Sequence, residues 1–291
     1  MDTQDLLKEV RKIEIKSRGL SNQIFAGEYH SAFKGRGMAF SEVREYQPGD
    51  EIRTIDWNVT ARFNHPFIKV FEEEREMTVM LLIDVSGSED FGTSRKLKQQ
   101  VILELSAVLA FSAIKNNDKV GVIFFSDKIE KFIVPKKGSA HILTIIRELI
   151  HFKPESQGTN LAEALKYLTS VIKKRCTAFL ITDFIDDGFE DALKIANKKH
   201  DIVGLRIIDE RESNLPKIGI IPVKDNESGE ILWVDSSNQK VQKEYQLRAR
   251  KHDAKIRDVL AKSGVDCAHV NTKESYVRPL INLFKQRERK R

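Results

Sequence analysis

Cysteine is scarce in this chain of 291 residues: Cys176 and Cys267 are the only two. They stand far apart with no CxxC partner, which excludes a zinc ribbon or a dithiol redox motif. Cys176 precedes an apolar run and Cys267 lies in another, so both read as small core residues. No apolar run approaches the roughly 20 residues that a membrane-spanning helix needs. The start, Met1-Asp2-Thr3-Gln4-Asp5, is acidic and carries no hydrophobic targeting stretch, so a cytoplasmic location is the expectation. The G-x-x-x-x-G-K-[ST] phosphate loop is missing, so any ATP hydrolysis must come from a partner. The seven histidines form no motif that would supply a base to a serine nucleophile.

What is present describes an ordinary globular protein, with 41% hydrophobic and 32% charged residues. The net charge of +6 is partly concentrated in the tail from Lys285 to Arg291 and in Lys173-Lys174-Arg175. A basic tail of this kind can touch nucleic acid or anionic lipid, but more often it is a solvated helix end whose cations complement the macrodipole. Basic and aromatic residues are not interleaved as in RNA-reading sheets, so nucleic acid is not the expected partner, and binding it through the basic surface stands as an alternative.

Leu6, Leu7, Val10 and Ile13 recur at helical spacing, which predicts an amphipathic helix over 3–16. Residues 34–40 are loop-like, Gln47-Pro48-Gly49-Asp50 is a turn signal, and 67–71 suits a strand. Residues 1–76 thus read as a small, irregular module without enough apolar sequence to fold alone.

From Met77 the pattern alternates. Apolar strands are expected over 79–83, 119–125, 178–181, 202–208 and 267–270, and helices over 97–114, 139–151, 160–174, 190–200, 239–262 and 276–285. Strands alternating with helices specify an α/β domain over 77–291 built on a doubly wound, mainly parallel sheet of the Rossmann type. Two strand-like segments near 216–236, joined through Asp225-Asn226-Glu227-Ser228-Gly229, predict an inserted β-hairpin.

Such a sheet presents its strand ends to the ligand crevice. The strand over 79–83 delivers Asp84-Val85-Ser86-Gly87-Ser88 there. A carboxylate and two hydroxyls at alternate positions form a hard oxygen set, suited to Mg2+, or to Mn2+ and Ca2+. The same residue types also cap helices. Gly158-Thr159-Asn160 places another hydroxyl at a loop tip, and Ile181-Thr182-Asp183 ends a second strand in a carboxylate.

Together Asp84, Ser86, Ser88, Thr159 and Asp183 resemble the metal-ion-dependent adhesion site of von Willebrand factor A domains, as does the order of elements from Met77 to Phe284. The resemblance implies that Ser86, Ser88 and Thr159 bind a divalent cation directly while Asp84 and Asp183 act through water. It also implies an open coordination position for an acidic side chain of a partner. Phe184 departs from the family, which usually has Gly after the aspartate, and is expected to narrow the loop. Upstream, the run from Gly35 to Tyr46, then Pro48-Gly49-Asp50-Glu51-Ile52-Arg53-Thr54-Ile55-Asp56-Trp57, Ala61-Arg62 and Glu72-Glu73-Glu74, is similar to the bacterial DUF58 family. That resemblance implies association with MoxR-type AAA+ ATPases in assembly or activation of other proteins.

In physical terms Arg36, Arg44, Arg53 and Arg62 alternate with Glu42, Glu45, Asp50 and Asp56. They form either an internal ion-pair lattice or a partner surface, and Trp57 is expected to anchor the packing. The chain is not expected to be an enzyme. A Mg2+-dependent phosphatase of the haloacid dehalogenase type would need a second Asp where Ser86 stands.

Overall fold

The computed structural model describes residues 38–73, 77–87, 98–224 and 231–290. These fall into two compact units, one within Phe33–Met77 and one within Thr78–Arg291. The expected helix over 3–16, Arg36, Glu74, Ser88 and the hairpin turn over 225–229 lie outside the described residues.

In the smaller unit, β1 (Met38–Glu45) pairs antiparallel with β2 (Phe67–Glu73), and α1 (Trp57–Phe63) precedes β2. The segment read as loop through Phe40 therefore enters a strand at Met38, with a bulge between Phe40 and Glu42. Asp56 starts α1 by accepting from the backbone N–H groups of Asn58 and Val59. Arg44 grips Asp50 through two hydrogen bonds of 2.8 and 2.7 Å, and Gln47 N donates to Asp50 at 2.8 Å. This part of the arginine–carboxylate pattern is thus internal, fixing the Gln47–Asp50 turn against β1. Trp57 is not an anchor: it opens α1 with 68% of its surface exposed.

The larger unit is a six-stranded sheet in the order β10-β7-β6-β3-β4-β5. Its members are β3 (Thr78–Asp84), β4 (Lys119–Phe125), β5 (Ile129–Lys136), β6 (Thr177–Thr182), β7 (Asp201–Ile208) and β10 (Asp266–Asn271). Every neighbouring pair is parallel except β4 and β5 at one edge. β6 is buried along its whole length and β3 from Val79 onward, which is why they read as unbroken apolar runs. Between β8 (Ile220–Lys224) and β9 (Ile231–Asp235) lies the expected hairpin, paired antiparallel as a separate small sheet.

Helices cover both faces, as a doubly wound sheet requires. On one face Met80 and Leu82 pack in a single core with Leu161, Leu165 and Leu168 of α4 (Leu161–Val171), Leu193 of α5 (Glu190–Lys199), and Ile256 and Leu260 of α6 (Gln239–Lys262). On the other, α2 (Lys98–Lys115) lies over β3, β4 and β7 beside α3 (Ser139–His151), and α7 (Val277–Arg289) packs on β10. Fully burying a side chain such as Leu165 contributes about 2 kcal/mol. From β3 the chain moves outward to β4 and β5, then returns to place β6 on the other side of β3. The C-terminal ends of β3 and β6 therefore flank the switch point, where open α/β sheets place their ligands.

Candidate functional site

Asp84 is the last residue of β3 and Thr182 the last of β6, so parallel pairing puts them side by side. Thr182 Oγ1 donates to Asp84 Oδ2 at 2.6 Å, and Ser86 N donates to Asp84 Oδ1 at 3.0 Å. The carboxyl is only 1% exposed. Burial, and then the nearby charge of Asp183, push Asp84 up to about 7, against the pull of its hydroxyl and amide donors. Asp84 and the buried Ser86 line a small, partly open cavity of about 30 Å³, together with Gln99, Leu149, Phe152 and Pro154. That is room for a water or a bare cation, not for an organic substrate.

The loop carrying Thr159 is docked onto the same strand ends. Gly87 N donates to Gln157 O at 2.9 Å, and Asn160 N donates to Ser126 O at 2.8 Å. Glu130 secures the loop from below, accepting from Ser126 Oγ at 2.7 Å and from the N–H groups of Glu155 and Ser156 at 3.2 Å. Asn160 then caps α4 by accepting from Glu163 N. The segments bearing Asp84, Ser86 and Thr159 thus meet at the switch point, while Ser88 lies outside the described residues.

Asp183, 1% exposed, is held differently. Its Oδ1 accepts from Ile185 N at 3.0 Å and its Oδ2 from the Lys98 ammonium at 2.8 Å. Lys98 has no exposed side-chain surface and also pairs with Glu212. Arg206 Nε donates to the Asp183 carbonyl at 3.1 Å. Lys98 went unnoticed in the sequence, although a signal exists: it lies three and seven positions before Val101 and Leu105, on the buried face of α2.

Phe184 does not narrow the crevice. Its backbone is left-handed (φ 63°), a conformation that Gly adopts most readily, and its ring is fully buried in the core. There it packs against Phe189, with ring centroids 6.0 Å apart, and beside Gly204.

The donors present fit a small hard cation. A carboxyl driven up by burial, and then by the charge of Asp183, gains from a cation, and Asp84 with Ser86 offers oxygen beside a cavity of ion size. Among the described residues no three His, Cys, Asp or Glu side chains converge as a metal cluster. A zinc site of the nitrogen–sulfur kind is therefore not built from them.

The sheet order, with helices on both faces, defines a doubly wound α/β domain. A family model described as "Protein of unknown function DUF58" matches residues 42–255, and the chain belongs to that family. It is 24% identical over 292 residues to the uncharacterized protein Rv1480 of Mycobacterium tuberculosis, covering 99% of this chain and 92% of that protein. Among solved structures, the conserved hypothetical protein BatB from Bacteroides thetaiotaomicron is 18% identical with a TM-score of 0.46, covering 73% of this chain and 99% of BatB. Proximal thread matrix protein 1 of the mussel byssus, solved with a zinc-occupied MIDAS motif, is 16% identical with a TM-score of 0.37, covering 45% and 38% of the two chains. Among the described residues no helix is long and apolar enough to cross a membrane.

Proposed function

We propose that this chain is a metal-dependent protein–protein interaction module, working in the cytoplasm with a MoxR-type AAA+ ATPase in the assembly or activation of other proteins. The observation that carries the reading is the buried Asp84 carboxyl with Ser86, set at the switch point beside a cavity of ion size. Asp84, Ser86, Ser88, Thr159 and Asp183 would hold Mg2+, with Mn2+ or Ca2+ as substitutes. A hydroxyl-rich ligand set leaves the ion electrophilic, so a client's Asp or Glu completes its shell. The ATPase supplies the hydrolysis for which this chain has no phosphate loop. The role is binding and not catalysis, because Ser86 stands where a phosphatase of the haloacid dehalogenase type needs its second carboxylate.

The test is capture of the MoxR-type ATPase and of client protein by the full chain in Mg2+, in chelator, and by Ser86→Ala in Mg2+. Capture is expected in the first condition alone. Equal capture in all three refutes the proposal.

A further inference from the structure

We propose that Lys98 is the specificity-determining residue of this site: its tethered ammonium sets the charge that an incoming cation must balance. The inference rests on the reading of Asp84 and Ser86 as cation ligands. A lysine with no exposed surface is rare and persists only when paired. Here the ammonium sits 2.8 Å from Asp183 Oδ2 and also pairs with Glu212. The other oxygen of Asp183 is taken by Ile185 N. The two strand-end acids are therefore treated unequally. Asp183 has a full positive charge against it, whereas Asp84 accepts from neutral groups, the Thr182 hydroxyl and the Ser86 amide.

Arg206, which reaches the Asp183 carbonyl, is balanced by Asp253 at 2.7 Å. With Asp84 ionised, the remaining group comprises three carboxylates, Asp84, Asp183 and Glu212, against one ammonium. Two negative charges remain in excess, which one divalent ion cancels. The loaded site is then neutral and does not repel an acidic side chain of a partner. Without Lys98 the same acids would hold a cation more tightly, remain negative when loaded with Mg2+, and suit a trivalent ion better. Charges this close in a buried setting interact strongly enough to move affinity by an order of magnitude.

The experiment titrates the full chain and its variants by calorimetry with Mg2+ and with Tb3+, alongside thermal melts in chelator and in each ion. Lys98→Met is expected to bind Mg2+ at least tenfold more tightly and to shift its preference toward Tb3+. Its melting temperature should fall in chelator and recover when ion is added. Lys98→Arg, which keeps the charge, should titrate like the parent, and Glu212→Gln, which removes a negative charge, should bind Mg2+ several-fold more weakly. Should Lys98→Met fail to fold even with ion, the Glu212→Gln titration decides. Unchanged Mg2+ affinity in Glu212→Gln, or in a folded Lys98→Met, overturns the role of Lys98. Failure of the parent and every variant to bind either ion overturns instead the cation-site reading beneath it.

Discussion

Replacing Asp84 by Asn tests the charge at the centre of the site without changing its shape. Asn can still accept from Ser86 N through Oδ1, and its Nδ2 can donate to Thr182 Oγ1 where the carboxylate accepted. Unfolded, Asp84 ionises near its ordinary value of 3.8; folded, burial and the charge of Asp183 move it to about 7. Between these values the folded chain holds a proton that the unfolded chain has released. This group therefore favours folding at low pH, and its contribution is lost as pH rises from about 4 to about 7. Moving a carboxyl that far costs at most about 4 kcal/mol above pH 7, and about 2–4 kcal/mol is the range to expect. Urea denaturation in chelator should show Asp84→Asn more stable than the parent by that amount at pH 8, with the gap closing near pH 4. Adding Mg2+ at pH 8 should stabilise the parent and leave the variant unmoved, because only a native state that binds ion gains from it. A variant less stable than the parent at pH 8 in chelator, or a difference that does not vary with pH, would refute the reasoning.

Three further outcomes follow from the packing. Burial pushes the thiols of Cys176 and Cys267 up to about 12, so a disulfide reagent at pH 8 should label neither in the native chain and both in urea; rapid native labelling would contradict this. Arg287→Leu takes the shared cation from Asp201, gripped through two contacts of 2.6 Å, and from Asp266 at 3.0 Å. It should cost about 3 kcal/mol in urea denaturation, and a neutral result would count against the latch. Gly204→Ala would set a Cβ 3.0 Å from Cys267 Sγ and 3.3 Å from Phe184 Cζ. It should lower stability by about 1–3 kcal/mol, whereas an unchanged melt would show that the two side chains yield freely.

The elements legible in the sequence were those whose burial is continuous or strongly periodic. β4 and α3 occupy the expected residues because each carries an uninterrupted apolar run or an apolar face. β5 escaped notice because Glu130, Lys131 and Pro135 break its pattern. These residues are tolerated at an edge, where one side of the strand makes no ladder. β1 was hidden for a similar reason, since Glu42, Arg44 and Glu45 fill a strand that, among the described residues, pairs with β2 alone. At the site, Asp84, Ser86 and Asp183 could be read because strand ends at a switch point are fixed by local sequence. The hydroxyl that Thr182 gives Asp84, and the ammonium that Lys98 gives Asp183, could not. Each bridges segments more than eighty residues apart, and no local pattern encodes such a pairing.

Phe184 links these two hidden contacts. In the left-handed conformation its N–H reaches back to Thr182 Oγ1 at 3.1 Å. A hydroxyl that accepts there has its single proton left for Asp84, 2.6 Å away. The same turn brings Ile185 N to Asp183 Oδ1, leaving Oδ2 to face Lys98. One backbone twist thus sorts the two acids, giving one a neutral donor and the other a cation. Holding a non-glycine residue in this region costs about 1–2 kcal/mol. Burying the whole phenyl ring between Phe189 and the bare face of Gly204 contributes about 2–3 kcal/mol, enough to offset it. Phe184 therefore sets the hydrogen bonds of both Asp84 and Asp183 through its backbone, with the ring turned into the core and away from the crevice.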